Sequence, residues 1–439
     1  MDKIFCLLST VLYFCAPMHY SFEYCLVLFI SVVFNAYYIF SKDRKIEIIG
    51  FNSIFSVSII LVTYIYPLFV YLVFPNYSLF GYSYNERVIT KATAQVNLAY
   101  SFYALGYMMI LRKDINRNIV KYKNKFEFPL LLPKTRISFL RNLIVVMFII
   151  IIITGGLAYF RNQYTGENNT AMNGVFGLVW VLFQTLCILL ACVCLNTRDK
   201  KSFYLLGGIM ASLMAVGSRT LSLCIILIFF YAICLRKKYS LKRIFFFGIL
   251  AFVVFSIVGR FRSGIEQNMS DITANDIGVW NYFEDFIVCS RNQYVIFDYV
   301  QRNGTTLGVS SLGNILSVIP FAQSLVCSLF GLTEADLRSE VLTTKLASAE
   351  SGLGTHIVGD VYLAFGLIGV VFLFFILGNI VAKSRHYMFL KNHKGTIIYL
   401  VLLSGALFMC RGSFFYSLKN IVWSLVLIFI FGKVKKRKV

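Results

Sequence analysis

Charge is what this sequence has least of. Asp, Glu, Lys and Arg make up 14% of its 439 residues, where a soluble domain carries about 25%. In their place 58% of the residues are hydrophobic. Apolar runs long enough to cross a hydrocarbon core of about 30 Å recur along the whole chain. The runs are continuous rather than alternating, which excludes strands of a membrane barrel. Other absences narrow the chemistry. There is no Walker loop and no dinucleotide fingerprint. No His/Cys cluster has zinc spacing, and no paired-carboxylate motif such as DxD occurs. Neither a nucleotide nor a metal is therefore expected as cofactor. No tandem repeat and no low-complexity linker divides the chain, so residues 1–439 read as one membrane domain.

The expected fold is all-α, with about twelve transmembrane helices. Their cores lie at 4–18, 23–40, 52–74, 91–111, 140–158, 174–195, 202–217, 220–235, 244–259, 358–382, 395–410 and 414–432. The first apolar stretch reads as a retained span, because "FCAPMHYSFE" lacks a small-x-small cleavage site. A net charge of +22 suggests nucleic acid at first sight. The basic residues instead fall in short clusters between apolar runs, such as "SKDRK", "LRKKYSLKR" and the tail "KVKKRKV". That is the pattern of cytoplasmic loops, and no nucleic-acid partner is expected. All clusters fall on one side when both termini are cytoplasmic.

The same map leaves one long hydrophilic stretch, 260–357, on the outer side. Within it "NYFEDFIVCSRNQYVIFDYVQRNG" has helical spacing. Phe283, Phe286, Ile287, Val295, Ile296 and Tyr299 recur at that spacing, with Arg291, Asp298 and Arg302 on other faces, and Gly304 is the stop. "GNILSVIPFAQSLVCSLFGL" is broken by Pro320 and reads as a helix or broken pair lying in the membrane interface. Cys289 and Cys327 could bridge in an oxidising compartment; buried thiols are the plainer reading. A loop of this kind resembles a lid over a site on the outer membrane face.

The two faces differ in the kind of positive charge they carry. The inner set is 20 Lys and 10 Arg; the outer set is 9 Arg and 3 Lys. Topology requires only positive charge, whereas guanidinium forks bind phosphate and carboxylate bidentately. Arg219, Arg411, Arg291 and Arg260 are the candidate anion ligands. Arg219 and Arg411 sit in tight outer hairpins, "AVGSRTLS" and "FMCRGSFF". The competing reading is structural: ion pairs to the 14 acidic residues on that side, or snorkelling anchors. His356 and Asp360, four apart at the start of the tenth span, share a helix face. They are candidates for a general base and its partner, against a plain helix cap.

Three segments carry a resemblance. "GSRTLSLCIILIFFY", "GVSSLGNILSVIPF" and "THIVGDVYLAFGLIGVVFLF" resemble stretches of Wzy-type O-antigen polymerases, of the oligosaccharide repeat-unit polymerase family. The overall plan of spans and a late outer loop resembles that family too. The arginine-plus-ten-residues-plus-glycine pattern of some relatives is absent at Arg161, Arg219 and Arg291, so roles attached to it do not carry over. The resemblance implies a bacterial inner-membrane glycosyltransferase whose large loop is periplasmic. Its substrates would be oligosaccharides on undecaprenyl pyrophosphate, whose activated bond dispenses with a nucleotide. It also implies membrane lipids as surroundings, and a chain-length regulator and a flippase of the same pathway as partners. An O-antigen ligase and a lipid-linked oligosaccharide flippase are the alternatives.

Overall fold

The computed structural model describes residues 2–44, 47–74, 86–116, 127–162, 175–197, 199–215, 218–237, 239–240, 242–244, 246–248, 250, 283–346 and 352–432. The described residues are helical with no strand. Six helices are long and apolar enough to cross a membrane: Phe22–Asp43, Phe51–Val73, Lys134–Ile153, Gly177–Thr197, Ile357–Phe389 and His393–Cys410. Thr220–Arg236 and Leu418–Gly432 are shorter apolar helices. Helices also lie at the expected cores 4–18, 91–111 and 202–217, as Asp2–Phe14, Ile89–Asn116 and Lys200–Ala215. Most of the ninth core, 244–259, lies outside the described residues, as do Arg260 and the polar stretch that follows it.

The chain forms two compact units, each assembled from separated pieces. The first comprises 1–121, 270–383 and 406–416; the second comprises 122–269, 384–405 and 417–439. In the first, the Asp2–Phe14 helix ends on Lys91. The ammonium donates to the carbonyls of Tyr13 (2.5 Å) and Phe14 (3.3 Å) and lies over the Tyr13 ring. That satisfies carbonyls a helix end leaves open. Close contact between the Ile89–Asn116 and Ile357–Phe389 helices rests on two glycines. A side chain at Gly106 would strike the Phe375 carbonyl, and one at Gly378 the Tyr103 carbonyl. Small residues at such crossings are how membrane helices approach one another.

The Glu284–Asn303 helix forms as its periodicity predicts and stops at Gly304, whose φ is 79°. Residues 287–298 are buried all round, Arg291 and Asp298 included. The helix is an interior element, packed with Tyr66, Ile65 and Val88. The apolar stretch that follows is a broken pair, Val309–Leu316 and Ala322–Phe330, turning at Pro320 and Phe321. Cys289 and Cys327 are separate thiols.

One feature of the Ile357–Phe389 helix has no counterpart in the hydropathy pattern. Gly366 takes φ 64° and ψ −160° and splits the helix in two. The break frees the carbonyls of Leu363 and Ala364, which an unbroken helix would pair four residues on. They accept instead from the amides of Thr306 and Gly308, each at 2.8 Å. The loop is thereby hydrogen-bonded into the broken helix.

In the second unit the Val175–Thr197 helix is the core, with its cytoplasm-predicted end tied down. Arg141 pairs with Asp199 at 3.0 Å, and Ser202 donates to the same carboxylate at 2.6 Å. Thr185 donates to Asn420 at 2.9 Å, linking that core to the Leu418–Gly432 helix.

Candidate functional site

The first unit gathers several of the predicted residues around one irregular segment, 352–356, in which Gly354 takes φ 70°. Such backbone has no ladder of its own, so its polar groups must find partners elsewhere. Asn292 donates to the carbonyls of Leu353 (3.0 Å) and Gly354 (3.3 Å). Thr343 donates to the Gly354 carbonyl at 2.5 Å, and Thr355 donates its amide to the Arg411 carbonyl at 3.2 Å. The Leu353 amide donates to Thr344 at 3.1 Å.

This segment delivers His356 to the start of the Ile357–Phe389 helix. His356 is fully buried. Its Nδ1 accepts from the Val358 amide at 3.2 Å. That assigns the remaining proton to Nε2, which faces Thr63 Oγ1 at 3.5 Å. Burial pushes the imidazole pKa down to about 3, because the cationic form loses its hydration. The ring is therefore neutral across the physiological range, and its one lone pair is engaged in capping a helix amide.

Asp360 lies one turn on, and its carboxylate joins three segments. Oδ1 accepts from Ser339 at 2.6 Å. Oδ2 accepts from the Ser413 hydroxyl at 3.0 Å and the Phe414 amide at 2.9 Å. His356 immediately precedes the helix and Asp360 lies in its first turn, and the two side chains reach different neighbours.

Arg411 sits at the head of the hairpin that Asp360 anchors. Both of its terminal nitrogens lie 3.2 Å from the two oxygens of Asp285, a fork-on-fork pair. The pair is accessible: the side chains are 33% and 45% exposed. Arg291 is buried six residues after Asp285 on the same helix. It is flanked by Ser290, which donates to the Val62 carbonyl, and by Asn292. Two further arginines of the predicted outer set are engaged in ion pairs, Arg302 with Asp298 at 2.6 Å and Arg338 with Glu334 at 3.6 Å. Ion pairing thus accounts for part of the arginine surplus.

Arg219 belongs to the second unit. It occupies the N-cap position of the Thr220–Arg236 helix and is half-buried, its carbonyl accepting from the Leu223 amide at 2.9 Å. Gly217 and Arg260 lie outside the described residues. Among the described residues no group of three His, Cys, Asp or Glu side chains is arranged to hold a metal ion.

Sequence reading did not single out Asp285, the partner of Arg411. It also missed a polar row on the Ile89–Asn116 helix. Thr90, Thr93, Asn97 and Ser101 recur at helical spacing and are buried, as is Gln95, which accepts from Gln293 at 2.8 Å. The spacing was visible; the apolar average of the span hid it.

The family model for the O-antigen polysaccharide polymerase Wzy matches residues 3–438, nearly the whole chain. No curated protein and no solved structure matches. The three short segments that suggested the relationship are thus embedded in agreement along the full length. The chain belongs to the O-antigen polysaccharide polymerase Wzy family, glycosyltransferase-type polymerases of the inner membrane that act on lipid-linked oligosaccharide repeat units.

Proposed function

We propose that this polymerase transfers a growing glycan from undecaprenyl pyrophosphate onto the non-reducing end of a fresh lipid-linked repeat unit, at the periplasmic face. The basic clusters support that orientation, with both termini cytoplasmic and 260–357 periplasmic. In the reaction the bond between the sugar C1 and the pyrophosphate oxygen breaks, and a bond from C1 to the acceptor oxygen forms. Undecaprenyl pyrophosphate departs as a stable anion, which calls for charge stabilisation rather than protonation. Arg411 is our principal ligand for it, with Arg219, Arg291 and Arg260 as further candidates. The observation that carries this reading is the half-exposed Arg411 fork on Asp285. A fork already arranged for two carboxylate oxygens fits two phosphate oxygens equally well.

The acceptor hydroxyl must lose a proton. Asp360 is our candidate acceptor, reached through the Ser413 hydroxyl that donates to it. His356 is assigned a positioning role, since capping Val358 occupies its Nδ1 lone pair. A chain-length regulator and a flippase are the expected pathway partners.

The test is genetic and direct. Cells in which Arg411 is changed to Ala should attach single repeat units to their lipopolysaccharide and make no ladder of longer chains. Loss of all attached glycan would indicate a ligase, and a normal ladder would remove Arg411 from the mechanism.

A further inference from the structure

The stretch from Gly304 to Thr333 contains no charged residue, although it lies inside the most hydrophilic part of the chain. Its exposure is inverted relative to a water-facing loop. Ile319, Phe321, Leu325, Leu329 and Phe330 are between 53% and 72% exposed. Of the polar side chains of the same two helices, the two amides turn toward the rest of the loop, and the serines Ser324 and Ser328 are exposed. Asn314 donates to Glu340 at 3.3 Å. Gln323 donates to Glu334 at 3.0 Å and accepts from Arg338 at 2.6 Å.

We propose that the helix pair Val309–Leu316 and Ala322–Phe330 is a wedge seated among the lipid acyl chains of the adjoining leaflet, rather than a docking face for protein. Three observations favour lipid. The apolar face continues onto a helix apolar enough to span the membrane: the Gly308 backbone lies against the Phe365 ring, and Phe365, Ile368 and Phe372 are exposed in turn. The face carries no charge, whereas a protein interface has a polar rim. The turn at its tip also suits a medium without hydrogen-bond partners. The amides of Ser317, Val318, Ile319 and Ala322 all donate to carbonyls within the pair, and Pro320 has none to leave unsatisfied. Isolated surface helices with one wholly apolar face lie in bilayers in this way. The wedge is fixed in place by the amides of Thr306 and Gly308 on the broken Ile357–Phe389 helix.

The experiment uses the full-length protein reconstituted alone into phosphatidylcholine vesicles. Phe330→Trp and Leu325→Trp each add one fluorophore, and the parent signal is subtracted. Gln301→Trp, on the exposed end of the preceding helix, is the aqueous control. With brominated acyl chains the added emission at 330 and 325 should fall about two-fold or more, while aqueous iodide leaves it unchanged; position 301 should behave the other way. Quenching of 330 and 325 by iodide and not by bromolipid would overturn the wedge. Insensitivity to both quenchers would overturn it as well, since it would mean cover by a second copy of the chain. Each variant is checked for a parental melting temperature in detergent, so that a misfolded protein is not scored.

Discussion

Arg411 and Asp285 face each other with each terminal nitrogen 3.2 Å from one carboxylate oxygen, across 126 residues of chain. The carboxylate fills the position that a pyrophosphate would take in the proposed reaction. Asp285 is then a competitor as well as an anchor. An exposed pair of this kind contributes about 0.2–1 kcal/mol. Asp285→Asn should accordingly tighten inhibition by inorganic pyrophosphate by up to about five-fold, measured on purified enzyme with lipid-linked substrate. Unchanged or weaker inhibition would count against Arg411 as the anion ligand.

Arg219→Lys tests geometry separately from charge. A point charge replaces a planar fork. If Arg219 grips phosphate, the lysine variant should shorten the glycan ladder nearly as much as Arg219→Ala. A full-length ladder from Arg219→Lys together with none from Arg219→Ala would mean that charge alone matters there.

Asp360 holds two serines and a backbone amide in a buried setting. Asp360→Ala leaves those donors without an acceptor, which should cost about 3 kcal/mol of stability. The melting temperature in detergent reports it. Ser413→Ala breaks one of those bonds and the one the hydroxyl accepts from the Phe415 amide, and should cost about 2 kcal/mol. A much larger fall in turnover for Ser413→Ala than in stability is what the proton relay requires.

For His356 the folded pKa, pushed down to about 3, lies below the ordinary value of 6.5. Proton uptake therefore favours the unfolded chain. The stability that depends on a neutral ring is complete above about pH 6.5 and drains away as pH falls toward 3. At pH 5 about 2 kcal/mol of it should be gone. His356→Asn keeps an N-cap acceptor but cannot titrate. Its melting temperature should fall less than the parent's between pH 7 and pH 5; an equal fall would show that other groups set the acid sensitivity.

Gly366 occupies backbone space that is essentially closed to other residues. Gly366→Ala should cost about 1–3 kcal/mol and loosen the Thr306 and Gly308 amides from the break. Hydrogen exchange at those two amides checks this: protection should drop there before it drops at Val300 and its neighbours.

Much of this arrangement was legible in the chain itself. Periodicity gave the Glu284–Asn303 helix, Gly304 its end, and Pro320 the break between the two wedge helices. What was not legible depended on contacts far apart in sequence. Arg411 showed as an arginine in a hairpin, but nothing local pointed to Asp285; the excess of acids on that side was the one hint. Nothing local marks Gly366, because an isolated glycine inside a helix costs only about 1 kcal/mol. Its positive φ became evident with the loop amides that occupy the freed carbonyls. His356 and Asp360 lie one turn apart, the Asp360 amide donating to the His356 carbonyl. Side-chain direction, which spacing does not give, then sent one to a cap and the other to a hairpin.

The pairing of Gln95 with Gln293 has a consequence for how the protein is made. The two amides are 198 residues apart. At synthesis rates of about 5–20 residues per second, Gln95 leaves the ribosome about 10–40 s before its partner exists. During that wait the early helices already supply partners to Thr90 and Ser101, through Ser21, Ser9 and Asn35, while Gln95 has yet to meet Gln293. Either neighbouring helices or the insertion machinery must shelter that one amide. Biogenesis thus has a built-in order, with the first unit completed only when its late segments return to it.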